Sequence, residues 1–202
     1  MTWRYVIMAN GSGTRWHNYQ GAPKHLYVIE GETLLGRLAR QLTELACCDV
    51  VISASDSRLE IPGIPRHQPR TNEIELDRFV PELIQTRTCF LYGDTYYTDS
   101  ALSQIVASEP AGVEFFATSH SIVAVKSGDE GYLRTALAYV RQDFNAGRIA
   151  NCRGWELRDA YTHLSNTSSP EIDVQVTMID DRTGDINSPD DALRFARVLS
   201  DV

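Results

Sequence analysis

Long apolar stretches are missing from this sequence: no run approaches the about 20 residues with which a helix crosses a bilayer. A charged n-region followed by an apolar h-region is also missing at the start, so no secretory leader is expected. Basic excess is absent. The formal net charge is −8, with 19 Lys and Arg against 27 Asp and Glu, which excludes a general nucleic-acid binder but leaves room for a nucleotide held by a few local cations. Cysteine is sparse. Cys47, Cys48, Cys89 and Cys152 contain no C-x-x-C pair, so zinc is not expected and reduced, mostly buried thiols are. Repeats, linkers and low-complexity tracts are lacking too. What remains is 202 residues of ordinary soluble composition, enough for a single domain over 1–202 with a substantial core. A cytoplasmic enzyme, monomeric or homodimeric, with no nucleic-acid or membrane partner is the expectation.

Hydrophobic periodicity outlines the fold. Val6-Ile7-Met8-Ala9, Asp49 to Ala54 and Thr88 to Tyr92 are short apolar runs that read as strands buried on both faces, the state of a parallel sheet. Leu34, Leu35, Leu38, Leu42 and Leu45 predict an amphipathic helix over 33–46. Ile61 to Asn72, rich in Pro and Gly, reads as an extended loop, and Glu73 to Gln85 as a helix that Pro81 weakens or ends early. Leu102, Ile105 and Val106 mark a short helix that Thr98 or Asp99 could cap. Val113 to Thr118 and Ile122 to Lys126 are strands that pair as a hairpin or stay offset. Ser127 to Glu130 reads as a capping box for a helix striped by Leu133, Ala136, Leu137, Val140 and Phe144. Asn145 to Ser169 shows little pattern apart from Gly154-Trp155. Val174 to Ile179 is a late strand, and Ser188-Pro189-Asp190-Asp191 opens a last helix running to about Leu199. Strands alternating with helices imply a three-layer α/β/α sandwich on a mostly parallel, mixed sheet, whose ligands sit at the carboxyl ends of the strands.

The chemistry concentrates where the first strand ends. Ala9-Asn10-Gly11-Ser12-Gly13-Thr14-Arg15 leaves it, and Pro23-Lys24 follows. Glycines after a buried strand let main-chain N–H groups approach a ligand closely, a concave arrangement suited to phosphate, and Arg15 and Lys24 add positive charge. The dinucleotide fingerprint fails because Trp16 stands where its third glycine belongs, and no P-loop run exists. The series A-N-G-S-G-T-R then P-K resembles instead the signature of the nucleotidyltransferase superfamily with a glycosyltransferase-A-like fold, which includes sugar-phosphate, phosphocholine and molybdopterin nucleotidyltransferases. Their usual form is A-A-G-x-G-[TS]-R then P-K, with Asn10 here replacing the commoner Ala. Gly93-Asp94, after Phe90 to Tyr92, stands in the apolar-G-D context of that family's metal aspartate. Asp185-Ile186-Asn187-Ser188-Pro189 stands where the family places its other metal ligand: Asn187 matches that position most directly, and Asp185 is the stronger oxygen donor. Asp190 and Asp191 read as first-turn acids complementing a helix dipole, and Asp180 and Asp181 as a solvated turn.

The resemblance implies transfer of a nucleotide from an NTP to a small phosphorylated acceptor, with pyrophosphate leaving. It gives the β/γ-phosphates to the Asn10–Thr14 amides and Arg15, with Ala9 and Gly93 lining the nucleotide. Lys24 would bridge the α-phosphate and the incoming phosphate, and Mg²⁺ would be held by Asp94 with Asp185 or Asn187. Gln68 is the candidate reader of the base, CTP or UTP/GTP. The acceptor, a sugar 1-phosphate or phospho-alcohol, would meet the region from His120 to Tyr161. Trp155 could stack on a ring or methylammonium group but is expected in the core or a hairpin, and His17, His25, His67 and His163 show no ligand spacing. Two alternatives remain: a metal-dependent glycosyltransferase, whose usual D-x-D is absent at Gly93-Asp94-Thr95-Tyr96, and a nucleotide-binding regulator without turnover.

Overall fold

A computed structural model describes residues 2–11, 13–45, 49–167 and 172–200. The first strand, β1 (Arg4–Met8), is followed by a 3₁₀ turn at Thr14–Trp16 and a small hairpin, β2 (Val28–Ile29) with β3 (Glu32–Thr33). Helix α1 (Leu34–Leu45) leads to β4 (Asp49–Ser53). Then come β5 (Arg66–His67), β6 (Thr88–Tyr92), β7 (Thr95–Tyr96) and α2 (Asp99–Ala107). The chain continues through β8 (Val113–Ala117), β9 (Ile122–Ser127), α3 (Glu130–Asn145) and α4 (Gly154–Thr167). It closes with β10 (Val174–Met178), β11 (Gly184–Asp185) and α5 (Pro189–Ser200).

Seven strands form the main sheet in the order β10-β8-β9-β6-β1-β4-β5. All neighbours are parallel except β9, which runs antiparallel to both β6 and β8. This is the expected mixed, mostly parallel sheet. On one face Tyr5, Ile7, Ile52 and Leu91 pack against Leu35, Leu38 and Leu42 of α1 and Leu102 and Ile105 of α2. On the other, Val6, Met8, Phe90 and Phe115 pack against Leu133 and Val140 of α3 and Leu157 and Tyr161 of α4. Alternate strand residues thus feed opposite layers, and burying both faces demands the continuous apolar runs seen in the sequence. Truncating one such fully buried leucine, Leu38, to Ala should cost about 2–5 kcal/mol.

Several elements differ from the sequence expectations. Glu73 to Gln85 is not a helix but two 3₁₀ turns, Glu75–Arg78 and Pro81–Leu83. The Asp77 carboxylate accepts from the Glu73 and Ile74 amides, and Pro81 has no N–H to give a helical ladder, so the apolar residues are buried by turns instead. The Pro-rich loop contains β5, which pairs with β4. Asp129, not Ser127, caps α3, accepting from the Tyr132 amide at 2.9 Å, while Ser127 is held in β9. The stretch without pattern holds α4, whose buried positions are Gly154, Leu157, Ala160, Tyr161 and Ser165. They have helical spacing, but small and polar residues dilute the apolar signal. Asp181 is not merely solvated: it accepts from the Thr98 hydroxyl at 2.5 Å and the Thr183 amide at 2.7 Å. The remaining predicted strands and helices are present, with β8 and β9 choosing the hairpin and Thr98 capping α2. Cys89 and Cys152 are buried, whereas Cys47 and Cys48 lie outside the described residues.

Lys126 is fully buried at the carboxyl end of α2. Its ammonium donates to the carbonyls of Ile105, Val106 and Ser108 at 2.8, 2.9 and 2.6 Å, which satisfies orphan helix-end acceptors and complements the dipole. No described helix is long and apolar enough to cross a membrane.

Candidate active site

Register fixes where the site must be. Met8 of β1 is level with Tyr92 of β6 and Ser53 of β4, so the glycine turn and Gly93-Asp94 leave neighbouring parallel strands at the same carboxyl edge. The Gly93 amide donates to the Met8 carbonyl at 3.0 Å. A Cβ there would lie 3.0 Å from that carbonyl and 3.1 Å from Ile7 Cγ2, so only glycine lets the two strand ends approach this closely. Gly13 takes the left-handed conformation at φ 61°, starting the turn that carries Thr14 and Arg15. Just beyond, His17, Asn18 and Gln20 are also left-handed, at φ 50°, 53° and 56°.

The later acids arrive through a second, two-stranded sheet. β11 pairs antiparallel with β7, setting Asp185 opposite Thr95, whose hydroxyl donates to the Asp185 carboxylate at 3.0 Å. The Ile186 amide donates to the Asp94 carbonyl at 2.8 Å. Trp16, Ile29, Leu34, Tyr96, Ile186 and Ala192 form a small apolar core of their own. It packs the residue after Arg15, the second residue after Asp94 and the residue between Asp185 and Asn187 into one unit. Asn187 is held by the cap of α5, where the Asp191 carboxylate accepts from the Asn187 and Ser188 amides at 3.2 and 3.0 Å. Asp191 is therefore a capping acid as well as a dipole partner.

The three separated motifs meet at Lys24. Its ammonium pairs with the Asp94 carboxylate and donates to Asn187 Oδ1 at 2.9 Å. Lys24 and Asp94 are each 5% exposed, so Lys24 is no surface lysine. Burial is the largest single influence and would raise the Asp94 carboxyl; the Lys24 charge beside it, the other nearby cations such as Arg78, and the Lys24 hydrogen bond together outweigh it and hold it down at about 2. Asp185 behaves oppositely: burial, and then the negative charge of Asp94, push it up to about 6. His25, buried next to them, is lowered to about 4, chiefly by desolvation, so it is neutral at pH 7. Among the described residues no three His, Cys, Asp or Glu side chains gather as a metal cluster. The available donors are two carboxylates and an amide oxygen, a sparse set of hard oxygens of the kind a magnesium-sized cation uses beside water and substrate phosphate. Asp185, whose negative charge is opposed by burial and by Asp94, is a carboxylate that such a cation would relieve.

Two clefts open on either side of this node. One, of about 240 Å³, is lined by Ala9, Asn10, Gly11, Gly13, Lys24, Asp56 and Asn72 among others. The second, of about 900 Å³, is lined by Arg15, His120, Arg153, Trp155, Asp185, Asn187 and Arg194 among others. Arg15 and Thr14 are exposed, and Arg15 turns to the second cleft. Trp155 is half-buried in the first turn of α4, packed against the edge of the α3/α4 core with the Arg158 guanidinium 5.1 Å above its ring, so the core expectation holds in part and the hairpin does not. Gln68 is exposed and absent from both linings, whereas Asn72 from the same loop enters the first. Ser12 lies outside the described residues.

Sequence reasoning named Asn10 for its main-chain amide but not for its side chain, and gave His25, Ser53 and His67 no role. The Asn10 carboxamide is 3% exposed and neither of its polar atoms finds a hydrogen-bond partner. His25 Nδ1, Ser53 Oγ and His67 Nε2 are buried and unpartnered as well. Buried polar atoms seldom stay unpaired, and these stand at or next to the strand ends that flank the first cleft. The signal for His25 was its place directly after Lys24.

No protein-family model and no curated protein matches the sequence. Solved structures do match it. CTP:phosphocholine cytidylyltransferase from Streptococcus pneumoniae is 14% identical with a TM-score of 0.64, over 98% of this chain and 100% of that one. The inositol-1-phosphate CTP transferase from T. maritima is 13% identical with a TM-score of 0.63, over 100% and 98%. Rv0371c from Mycobacterium tuberculosis, in complex with manganese, is 16% identical with a TM-score of 0.62, over 98% and 99%. At such identities the likeness is one of architecture: from end to end, this chain has the mixed α/β fold on which those proteins are built.

Proposed function

We propose that the protein is a nucleotidyltransferase that moves an NMP from an NTP to a small phosphorylated acceptor and releases pyrophosphate. The observation that carries this reading is the Lys24–Asp94–Asn187 node, buried between two clefts at the carboxyl edge of the sheet. A donor nucleotide in the first cleft and an acceptor in the second would meet there. The similar solved structures named for CTP-dependent transfer to phosphocholine and inositol 1-phosphate support the same chemistry.

A phosphate monoester is largely ionised near pH 7, so its oxygen can attack the α-phosphorus without a side-chain base. The new P–O bond forms as the bond to the β-phosphate bridging oxygen breaks, and that oxygen leaves with pyrophosphate. The protein's task is positioning and charge neutralisation. The amides of Asn10 to Thr14 hold the β/γ-phosphates, the Arg15 guanidinium, which lines the second cleft, swings in to them from that side, and Ala9 and Gly93 let the nucleotide lie close to the strand ends. Lys24 neutralises the α-phosphate and the incoming phosphate. Asp94, with Asp185 or Asn187, would hold a divalent cation, Mg²⁺ or Mn²⁺, which supplies Lewis-acid charge to the phosphates. The loop that carries Gln68, which enters the first cleft through Asn72, reads the base of CTP, UTP or GTP. The second cleft takes a sugar 1-phosphate or phospho-alcohol.

Pyrophosphate release, measured with each NTP over a panel of phosphorylated acceptors, tests the proposal. Turnover should appear for one pairing and fall about 10²-fold or more in Arg15→Ala and Asp94→Ala. Unchanged turnover in either variant refutes the assignment. Glycosyl transfer from a nucleotide sugar, or nucleotide binding without product, would replace it with one of the two alternatives.

A further inference from the structure

A third cation stands against the glycine turn. Arg78 belongs to the 3₁₀ turn Glu75–Arg78, and its side chain is 18% exposed. A Cβ on Gly11 would sit 3.1 Å from Arg78 Nη2 and 3.3 Å from Cζ, so the guanidinium lies directly over the backbone of the turn. It also lies over the Tyr92 ring, 5.9 Å from its centroid, between the ends of β1 and β6. The nearest carboxylate, Glu75, is 3.7 Å away, beyond hydrogen-bonding distance. A guanidinium has five N–H donors, and no hydrogen bond joins this one to another described residue.

The turn that presents Arg78 is firmly built. Asp77 is 4% exposed and accepts from the Glu73 and Ile74 amides at 2.8 and 3.2 Å and from Arg141 of α3 at 2.7 Å. Leu76 and Phe79 on either side are buried in the α3/α4 layer. Lys24 and His25 come from the opposite side: Leu26 packs into the α1/α2 layer, and His25 Cδ2 is 3.4 Å from where a Gly93 Cβ would be, beside Ile7. The glycine turn is thus flanked by cations from both faces of the sheet.

We infer that Arg78 is a third polyphosphate-binding residue, closing on the phosphates of the NTP from the sheet face opposite Lys24. The inference rests on the transferase reading for the identity of the nucleotide, though not for the existence of the anion site. A planar fork of donors suits two phosphate oxygens at once, which a lysine ammonium cannot copy. It also gives Gly11 a second reason to lack a side chain, since a Cβ would crowd the guanidinium out of reach.

Inorganic tripolyphosphate is the probe, titrated calorimetrically into the full chain without metal. Arg78→Ala should bind it roughly 10- to 100-fold more weakly than the wild type. Arg78→Lys should lie between them, and Arg148→Ala, which removes an exposed cation paired with Asp143, should change nothing. Unfolding midpoints in urea identify any variant that fails to fold, and Arg78→Lys then carries the comparison. Equal affinity in the wild type and the Arg78 variants overturns the inference, and so does a wild type that does not bind the probe. Pyrophosphate release separates this from the transferase reading. Binding that depends on Arg78 without turnover on any acceptor leaves the inference standing and removes the transferase. Turnover in which Arg78→Ala keeps the wild-type KM for NTP does the reverse.

Discussion

Replacing Lys24 by Met removes a charge while keeping an unbranched chain of similar length in the same space. The side chains of Lys24 and Asp94 are each 6% exposed, so the substitution strands a buried carboxylate that has lost its partner. It also leaves Asn187 Oδ1 without the donor 2.9 Å away. Breaking one side of such a pair typically costs about 3–5 kcal/mol, and Asp94→Asn, which strands the ammonium, should cost a similar amount. The double variant Lys24→Met/Asp94→Asn carries neither stranded charge. It should be more stable than the sum of the two single losses implies, by at least about 2 kcal/mol. Urea unfolding of all four proteins, extrapolated linearly with a common slope, measures that coupling. Activity should not follow stability: both single variants and the double variant should lose turnover by about 10²-fold or more. Additive losses, within about 0.5 kcal/mol, would show that the two charges do not face each other in a dry environment, and the account of the node would fall with that result.

Two further outcomes follow from the geometry around it. The Asp77 carboxyl is opposed by burial but held below its ordinary value by Arg141 and the Glu73 and Ile74 amides. A depressed carboxyl contributes stability above its unfolded value, near pH 4, and loses it as pH falls through the folded value; Asp77→Asn should therefore be destabilised at pH 7 and approach the wild type in acid, as read by thermal unfolding against pH. Gln20 is an exposed, left-handed residue at φ 56°, so Gln20→Gly should raise stability by about 0.5–1 kcal/mol in urea unfolding; a loss would mean the turn is not held in that conformation.

The glycine turn was legible because its meaning is local. Four apolar residues need a buried strand, and the glycines after them need a backbone free of Cβ. Asp94 and Asn187 were legible only through the family resemblance, since an acid after a strand end or an amide before a helix reads equally as a turn residue. What made them one site was not local. Only the β11–β7 pairing and the small core around Trp16 and Ile186 set Asn187 against Lys24. Arg78 was hidden for a further reason. Its segment has the apolar spacing of a helix, and nothing in that spacing says that turns will aim the guanidinium at Gly11, nearly seventy residues earlier. α4 escaped because Gly154, Ala160 and Ser165 occupy its inner face, where close packing favours small side chains over strongly apolar ones.

Because Gly184 and Asp185 complete a ribbon whose other half is Thr95 and Tyr96, closing it joins segments far apart in the chain that belong to no strand of the main sheet. Such a long-range contact carries a loop-closure cost of its own. Opening the ribbon would leave the seven-stranded sheet paired while withdrawing Asp185 from Thr95 and Asn187 from Lys24.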